Sequence, residues 1–79
     1  MNILVGNLNY LTNAAQLSAL FIPYGIVVSS KIIADAITGR SLCYGYIEMK
    51  GKAAMMAISE LNNRRFMNCF IEVVEAPEK

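Results

Sequence analysis

Histidine and tryptophan are absent from this chain of 79 residues, and cysteine and proline occur only twice each. Without histidine, the commonest general base and metal ligand is missing. Cys43 and Cys69 are too few for a disulfide framework or a zinc site. No glycine-rich loop is built to cradle phosphates, no serine or cysteine has a visible base, and the carboxylates are scattered. These gaps point to binding without catalysis, cofactor or metal. No apolar run is long enough to span a bilayer and no signal peptide is visible, so a cytoplasmic protein with no membrane partner is expected. An excess of charge of either sign is also lacking: seven basic against six acidic side chains leave a net charge of +1. That balance argues against tight, purely electrostatic binding to a polyanion.

What the chain has in abundance is apolar side chains, 56% of residues, which is high for so small a domain. A single domain over residues 1–79 is expected, with part of its apolar surface outside the core. The most informative stretch runs from Leu42 to Met49. It alternates as a strand does, with Leu42, Tyr44, Tyr46 and Glu48 on one face and Cys43, Gly45, Ile47 and Met49 on the other. The second face is small and apolar and suits a core. The first places two large aromatic rings outside it, an arrangement suited to stacking on the bases of a nucleic acid.

Ile3 to Leu8 reads as a first strand, with Ile3 and Val5 inward and Leu4 outward. Asn9 to Thr12 is a polar connection. Asn13 fits a helix N-cap, with Gln16 completing a capping box. Ala14, Leu17, Leu20 and Phe21 form a buried stripe, and Pro23 and Gly25 end that helix. Tyr24 beside that end reads as a packing residue. Val27 to Ala34, rich in β-branched residues, is a second strand, and Asp35 to Ser41 a turn. A second helix spans Lys52 to Asn62, with Ala54, Ala57, Ile58 and Leu61 inward and Asn62-Asn63 as a left-handed cap. Phe70 to Val74 is a last strand with Ile71 and Val73 inward, stopped by Pro77. The order strand, helix, strand, strand, helix, strand predicts an α+β sandwich in which two helices cover one face of a four-stranded antiparallel sheet.

Leu42 to Met49 and Ile3 to Leu8 together resemble the paired signatures of the RNA recognition motif, a ferredoxin-like βαββαβ domain. Its octamer runs basic, Gly, aromatic, Gly or Ala, aromatic, aliphatic, any residue, aromatic. Tyr44, Gly45, Tyr46 and Ile47 fit it; Leu42, Cys43 and Met49 depart from it. The hexamer has an aromatic second residue where this chain has Leu4. The resemblance covers nearly the whole chain and is nearest to the small single-domain bacterial members, to which the Asp35–Arg40 loop adds. It implies that Cys43 and Cys69 lie on the two strands flanking the first, about 9–10 Å apart and out of disulfide reach.

The resemblance also implies single-stranded RNA as the partner, with single-stranded DNA as a second candidate. Tyr44 and Tyr46 would stack on bases, with Leu4 beside them as an aliphatic surface in place of a ring. Leu42 replaces a basic residue that would pair with a phosphate. Lys31 and Ile33 are expected on the open face, Arg40 in a loop that folds over the ligand, and Arg64 and Arg65 away from the sheet centre. Glu48 and Glu72 are expected on the open face too, where a carboxylate repels phosphate but accepts hydrogen bonds from the amino groups of cytosine or guanine. The competing class is a protein-interaction module. Leu4, Ile26, Ile33, Ala36, Ile37, Leu42, Phe70 and Val74 suggest extra exposed apolar surface, suited to weak self-association.

Overall fold

The computed structural model describes residues 1–77, so Glu78 and Lys79 of the expected domain lie outside the described residues. The chain runs β1 (Asn2–Gly6), α1 (Ala14–Phe21), a 3₁₀ turn (Ile22–Tyr24), β2 (Val27–Ala34), β3 (Ser41–Met49), α2 (Gly51–Leu61), β4 (Arg65–Phe66), β5 (Cys69–Phe70) and β6 (Glu72–Glu75). Four strands form one antiparallel sheet in the order β2-β3-β1-β6. This is the ferredoxin-like α+β arrangement expected from the element order. β4 and β5 form a separate two-stranded ribbon.

The alternation seen in the sequence places the core. Ile3 and Val5 from β1, Ile47 and Met49 from β3, and Ile71 and Val73 at the last strand are fully or almost fully buried. They meet Leu17 and Phe21 of α1 and Ala54, Ala57 and Leu61 of α2 in one cluster, with Tyr24 packed against its margin. Both helices therefore cover the same sheet face. α1 starts where the capping box predicts: the Asn13 side chain accepts from the Gln16 amide at 2.7 Å, and the Gln16 side chain accepts from the Asn13 amide at 2.9 Å. α2 ends at the expected asparagine pair. Asn63 adopts φ 65°, the left-handed conformation that asparagine tolerates, and the Asn62 side-chain oxygen accepts from the Val73 amide at 3.0 Å.

At Gly45, β3 lies close against its neighbours. A Cβ there would collide with the Lys31 backbone carbonyl and come within 3.1 Å of the Leu17 side chain and 3.2 Å of Ile32. The strand can therefore approach β2 and α1 closely only while position 45 lacks a side chain.

Three sequence expectations need correction. The alternation does not extend unbroken to Leu42, because the pairing jumps from Ile33–Tyr44 to Ala34–Ser41 and leaves two extra residues on β3. Cys43, one of those two, has φ 66°, a left-handed conformation at the octamer position that glycine fills. The last strand of the main sheet begins at Glu72, two residues later than expected. Cys69 and Phe70 belong instead to the ribbon, so the distance expected between Cys69 and Cys43 does not apply; both thiols are free.

The ribbon turns at Met67 and Asn68, with φ 49° and 66°. Positive φ at both central residues is the backbone of a type I′ turn. Tertiary bonds support it: Asn9 donates from Nδ2 to the Met67 carbonyl at 3.0 Å, and the buried Thr12 hydroxyl donates to Met67 Sδ at 3.3 Å.

Gly45→Ala is expected to lower stability by about 1–3 kcal/mol, since the obstacle is backbone and cannot rotate away. A urea midpoint equal to that of the parent would refute this packing account. Cys43→Gly is expected to raise stability by about 1 kcal/mol, by removing the left-handed cost of a side chain with a Cβ. The same urea titration reads it, as a higher midpoint at unchanged slope.

Candidate nucleic-acid interface

The sheet face opposite the helices carries three cross-strand rows fixed by the register. In the central row Lys31 pairs with Tyr46, Tyr46 with Leu4, and Leu4 with Val74. On one side Ile33 pairs with Tyr44 and Gly6 with Glu72, and the Val5–Gly45 pairing sets Gly6 beside Tyr44. On the other side Ser29 pairs with Glu48 and Glu48 with Asn2. The face thus grades from a polar row, through a row with one ring and one cation, to a row with one ring and one carboxylate.

The Tyr44 and Tyr46 ring centroids are 6.2 Å apart with the planes at 81°, an edge-to-face pair. Lys31 Nζ lies 5.6 Å from the Tyr46 centroid, within the range of a cation–π contact. Leu4, Gly6, Tyr44, Tyr46, Glu72 and Val74 line one shallow cavity of about 270 Å³. A neighbouring cavity of about 400 Å³ is lined by Asn2, Ser29, Lys31, Tyr46 and Glu48, among others, and there the Ser29 hydroxyl donates to Glu48 Oε1 at 3.4 Å.

Of the expected site residues, Leu4, Tyr44, Tyr46 and Glu72 come together in the smaller cavity, and Lys31 reaches Tyr46 from the adjoining strand. Arg40 and Leu42 stand apart from them. Arg40 lines a separate concavity with Tyr10, Gly39 and Ser41. Its loop is fixed from within. The Asp35 carboxylate accepts from the Ile37 and Thr38 amides at 2.8 and 2.9 Å, and the Asp35 amide donates to the Arg40 carbonyl at 2.8 Å. The Thr38 and Ile37 amide donors hold the Asp35 carboxyl below its ordinary range, because they bond the charged form. Leu42 is exposed, but it falls in the β-bulge, has no partner on β2 and lines neither cavity. Arg64 lies 3.9 Å from Glu60 on α2, and Arg65 donates to Asn68 within the ribbon, so both are occupied away from the open face.

Two aromatic residues lie beyond the sequence-based site. Tyr10, in the connection after β1, is 70% exposed and stands beside Arg40. The available signal was a large ring beside Leu11 in a short connection bounded by Asn9 and Thr12. Phe70 is also exposed, and its carbonyl accepts from Asn7 Nδ2 at 2.8 Å, which ties the ribbon to the end of β1. No helix among the described residues is long and apolar enough to cross a membrane. Among the described residues no group of three or more histidine, cysteine or acidic side chains is placed to hold a metal ion.

With this geometry in hand, comparison with known proteins is direct. Among solved structures, the chain is similar to the RNA-binding protein PG1, at 42% identity and a TM-score of 0.95 over 100% of this chain and 96% of that one. It is 38% identical over 76 residues to glycine-rich RNA-binding protein 10 of Brassica napus, covering 95% of this chain and 45% of the relative. It therefore spans less than half the length of that plant protein. It is 35% identical over 77 residues to RbpE of Nostoc sp., covering 96% of this chain and 78% of the relative. The family model of the RNA recognition motif matches residues 3–72, and the chain belongs to that family.

Proposed function

We propose that this chain is a single-domain binder of single-stranded RNA that holds unpaired bases against Tyr44 and Tyr46 and performs no chemistry on them. The observation that carries the reading is the open-face arrangement of two tyrosine rings with Lys31 over one of them and Leu4 alongside. Neither ring belongs to the buried core, and every base offers a face for stacking. The names of PG1 and of the Brassica protein state RNA binding for those proteins, which supports the same reading here. Affinity is expected to be weak to moderate. Leu4 presses an aliphatic surface on a base where a ring would stack, and Leu42 offers no cation for a phosphate. Single-stranded DNA of the same sequence is the natural comparison ligand, because it differs from RNA in lacking the 2′-hydroxyl.

A second reading, weak self-association through apolar surface, is favoured by the exposure of Ile26 at 81% and Ile37 at 94%. The two readings separate by salt. Electrostatic contacts to RNA weaken as salt rises, and apolar association does not.

Replacing Tyr44 and Tyr46 together by alanine is expected to weaken RNA binding by about 2–6 kcal/mol, if each ring stacks one base. The fold is expected to survive, since neither ring belongs to the buried cluster. A folded double mutant that binds a random single-stranded pool as tightly as the parent would remove the tyrosine face from consideration. Salt titration gives an independent check. Contacts from Lys31 and Arg40 to about two phosphates predict a slope of log affinity against log salt of about −1 to −2. A slope steeper than about −4 would enlist Arg64 and Arg65, against their placement in the structure.

A further inference from the structure

We propose that Glu72 makes guanine the preferred base at the position stacked on Tyr44. The inference rests on the RNA-binding reading above and names which base that site selects.

One cross-strand row joins Tyr44, Gly6 and Glu72. Gly6 has no side chain, so the floor between the tyrosine and the glutamate is bare. An added Cβ at Gly6 would lie 3.8 Å from Glu72 Oε2, so the carboxylate leans over the glycine. Tyr44 and Glu72 stand two strand spacings apart, about 9–10 Å. That span lets a base lie on the ring and turn its edge to the carboxylate. Glu72 is the only charged side chain lining this cavity; its other walls are Leu4, Gly6, Tyr44, Tyr46 and Val74. Among the described residues the one ion pair is Arg64–Glu60, and no hydrogen bond reaches the Glu72 carboxylate. Its acceptor capacity is therefore open to a ligand, and Lys31, the cation on this face, lies over Tyr46 in the neighbouring row.

An ionised carboxylate only accepts hydrogen bonds, and it has two oxygens to do so. The base edge that complements it carries two adjacent donors. Guanine alone offers this among the RNA bases, with N1–H beside the exocyclic amine on its Watson–Crick edge. Adenine and cytosine each offer one amine next to a ring acceptor. Uracil offers N3–H between two carbonyl oxygens, which a carboxylate repels. Paired charge-assisted bonds of this kind are the stronger class and are geometrically selective. The same carboxylate disfavours a phosphate at this point, so the RNA backbone must run elsewhere and the base edge is what meets Glu72.

The test uses the full chain and five-nucleotide RNAs of uridine with the central base varied: guanosine, inosine or uridine. Inosine keeps N1–H and lacks the exocyclic amine. Affinity is read by fluorescence anisotropy, and the site by amide shifts at Tyr44 and Tyr46. The guanosine pentamer is expected to bind about tenfold or more tighter than the uridine pentamer, with inosine between them. Glu72→Gln, an exposed change that leaves the core intact, is expected to bring the guanosine-to-uridine ratio to about twofold or less and to improve binding of the uridine pentamer. Equal affinity for guanosine and uridine, with shifts at both tyrosines, overturns the guanine assignment and leaves the RNA-binding reading standing. Inosine binding as tightly as guanosine, or an unchanged ratio in Glu72→Gln, also overturns the role given to Glu72. Failure of every pentamer to bind overturns both.

Discussion

The open face depends on a place where nothing can be added. At Gly45 the third strand is pressed between the Lys31 backbone of one neighbour and the Leu17 side chain of the first helix. That contact seats the strand on the helix layer and fixes the register that sends the residues on either side of the glycine outward. The two tyrosines are thus presented by a packing constraint on the opposite face. A side chain at position 45 would act on them through the backbone without touching either ring. The core and the candidate interface are two faces of one strand, and the glycine couples them.

Electrostatics has a small part in this molecule. Lys31 is the cation seated over the tyrosine rows, and Glu48 and Glu72 face the same side. A ligand carrying many negative charges meets a nearly neutral surface, so charge alone gives it little hold. The loop that carries Arg40 is locked internally by Asp35 and Thr38, which holds the arginine with Tyr10 at the periphery. A ring and a guanidinium at one edge and two rings with an ammonium at the centre divide the cationic contacts between separate places.

The helices, the four-stranded sheet and the outward tyrosines were legible because each rests on periodicity or on a cap. Asn13 with Gln16, the Leu17–Phe21 stripe and the alternation from Tyr44 to Met49 are local patterns, and local patterns survive folding when the core they imply is the core that forms. The β-bulge at Leu42 and Cys43 was not legible, since a bulge is a relation between two strands and a cysteine stands at the positive-φ position that a glycine would have marked. The ribbon was hidden for two reasons. Strands of two residues are too short to show a period, and the turn between them carries Met67 in a positive-φ position where asparagine, aspartate or glycine would have announced it. The methionine is held there by Asn9 and Thr12, more than fifty residues away in sequence. Arg40 was placed by its loop's position in the fold, and the hydrogen bonds that aim the loop depend on side-chain geometry that sequence spacing does not specify.

The two tyrosine planes stand at 81° to each other, and this sets a condition on whatever they hold. Two bases, each lying flat on one ring, cannot lie flat on one another. A strand that engages both rings must give up the stack between neighbouring nucleotides and bend its backbone sharply between them. On the proposed reading the two rings would offset that loss, one for each parted base. The balance would then turn on how firmly a given stretch of nucleic acid is stacked before it arrives, and a loosely ordered loop would start ahead of a well-stacked helix of the same composition.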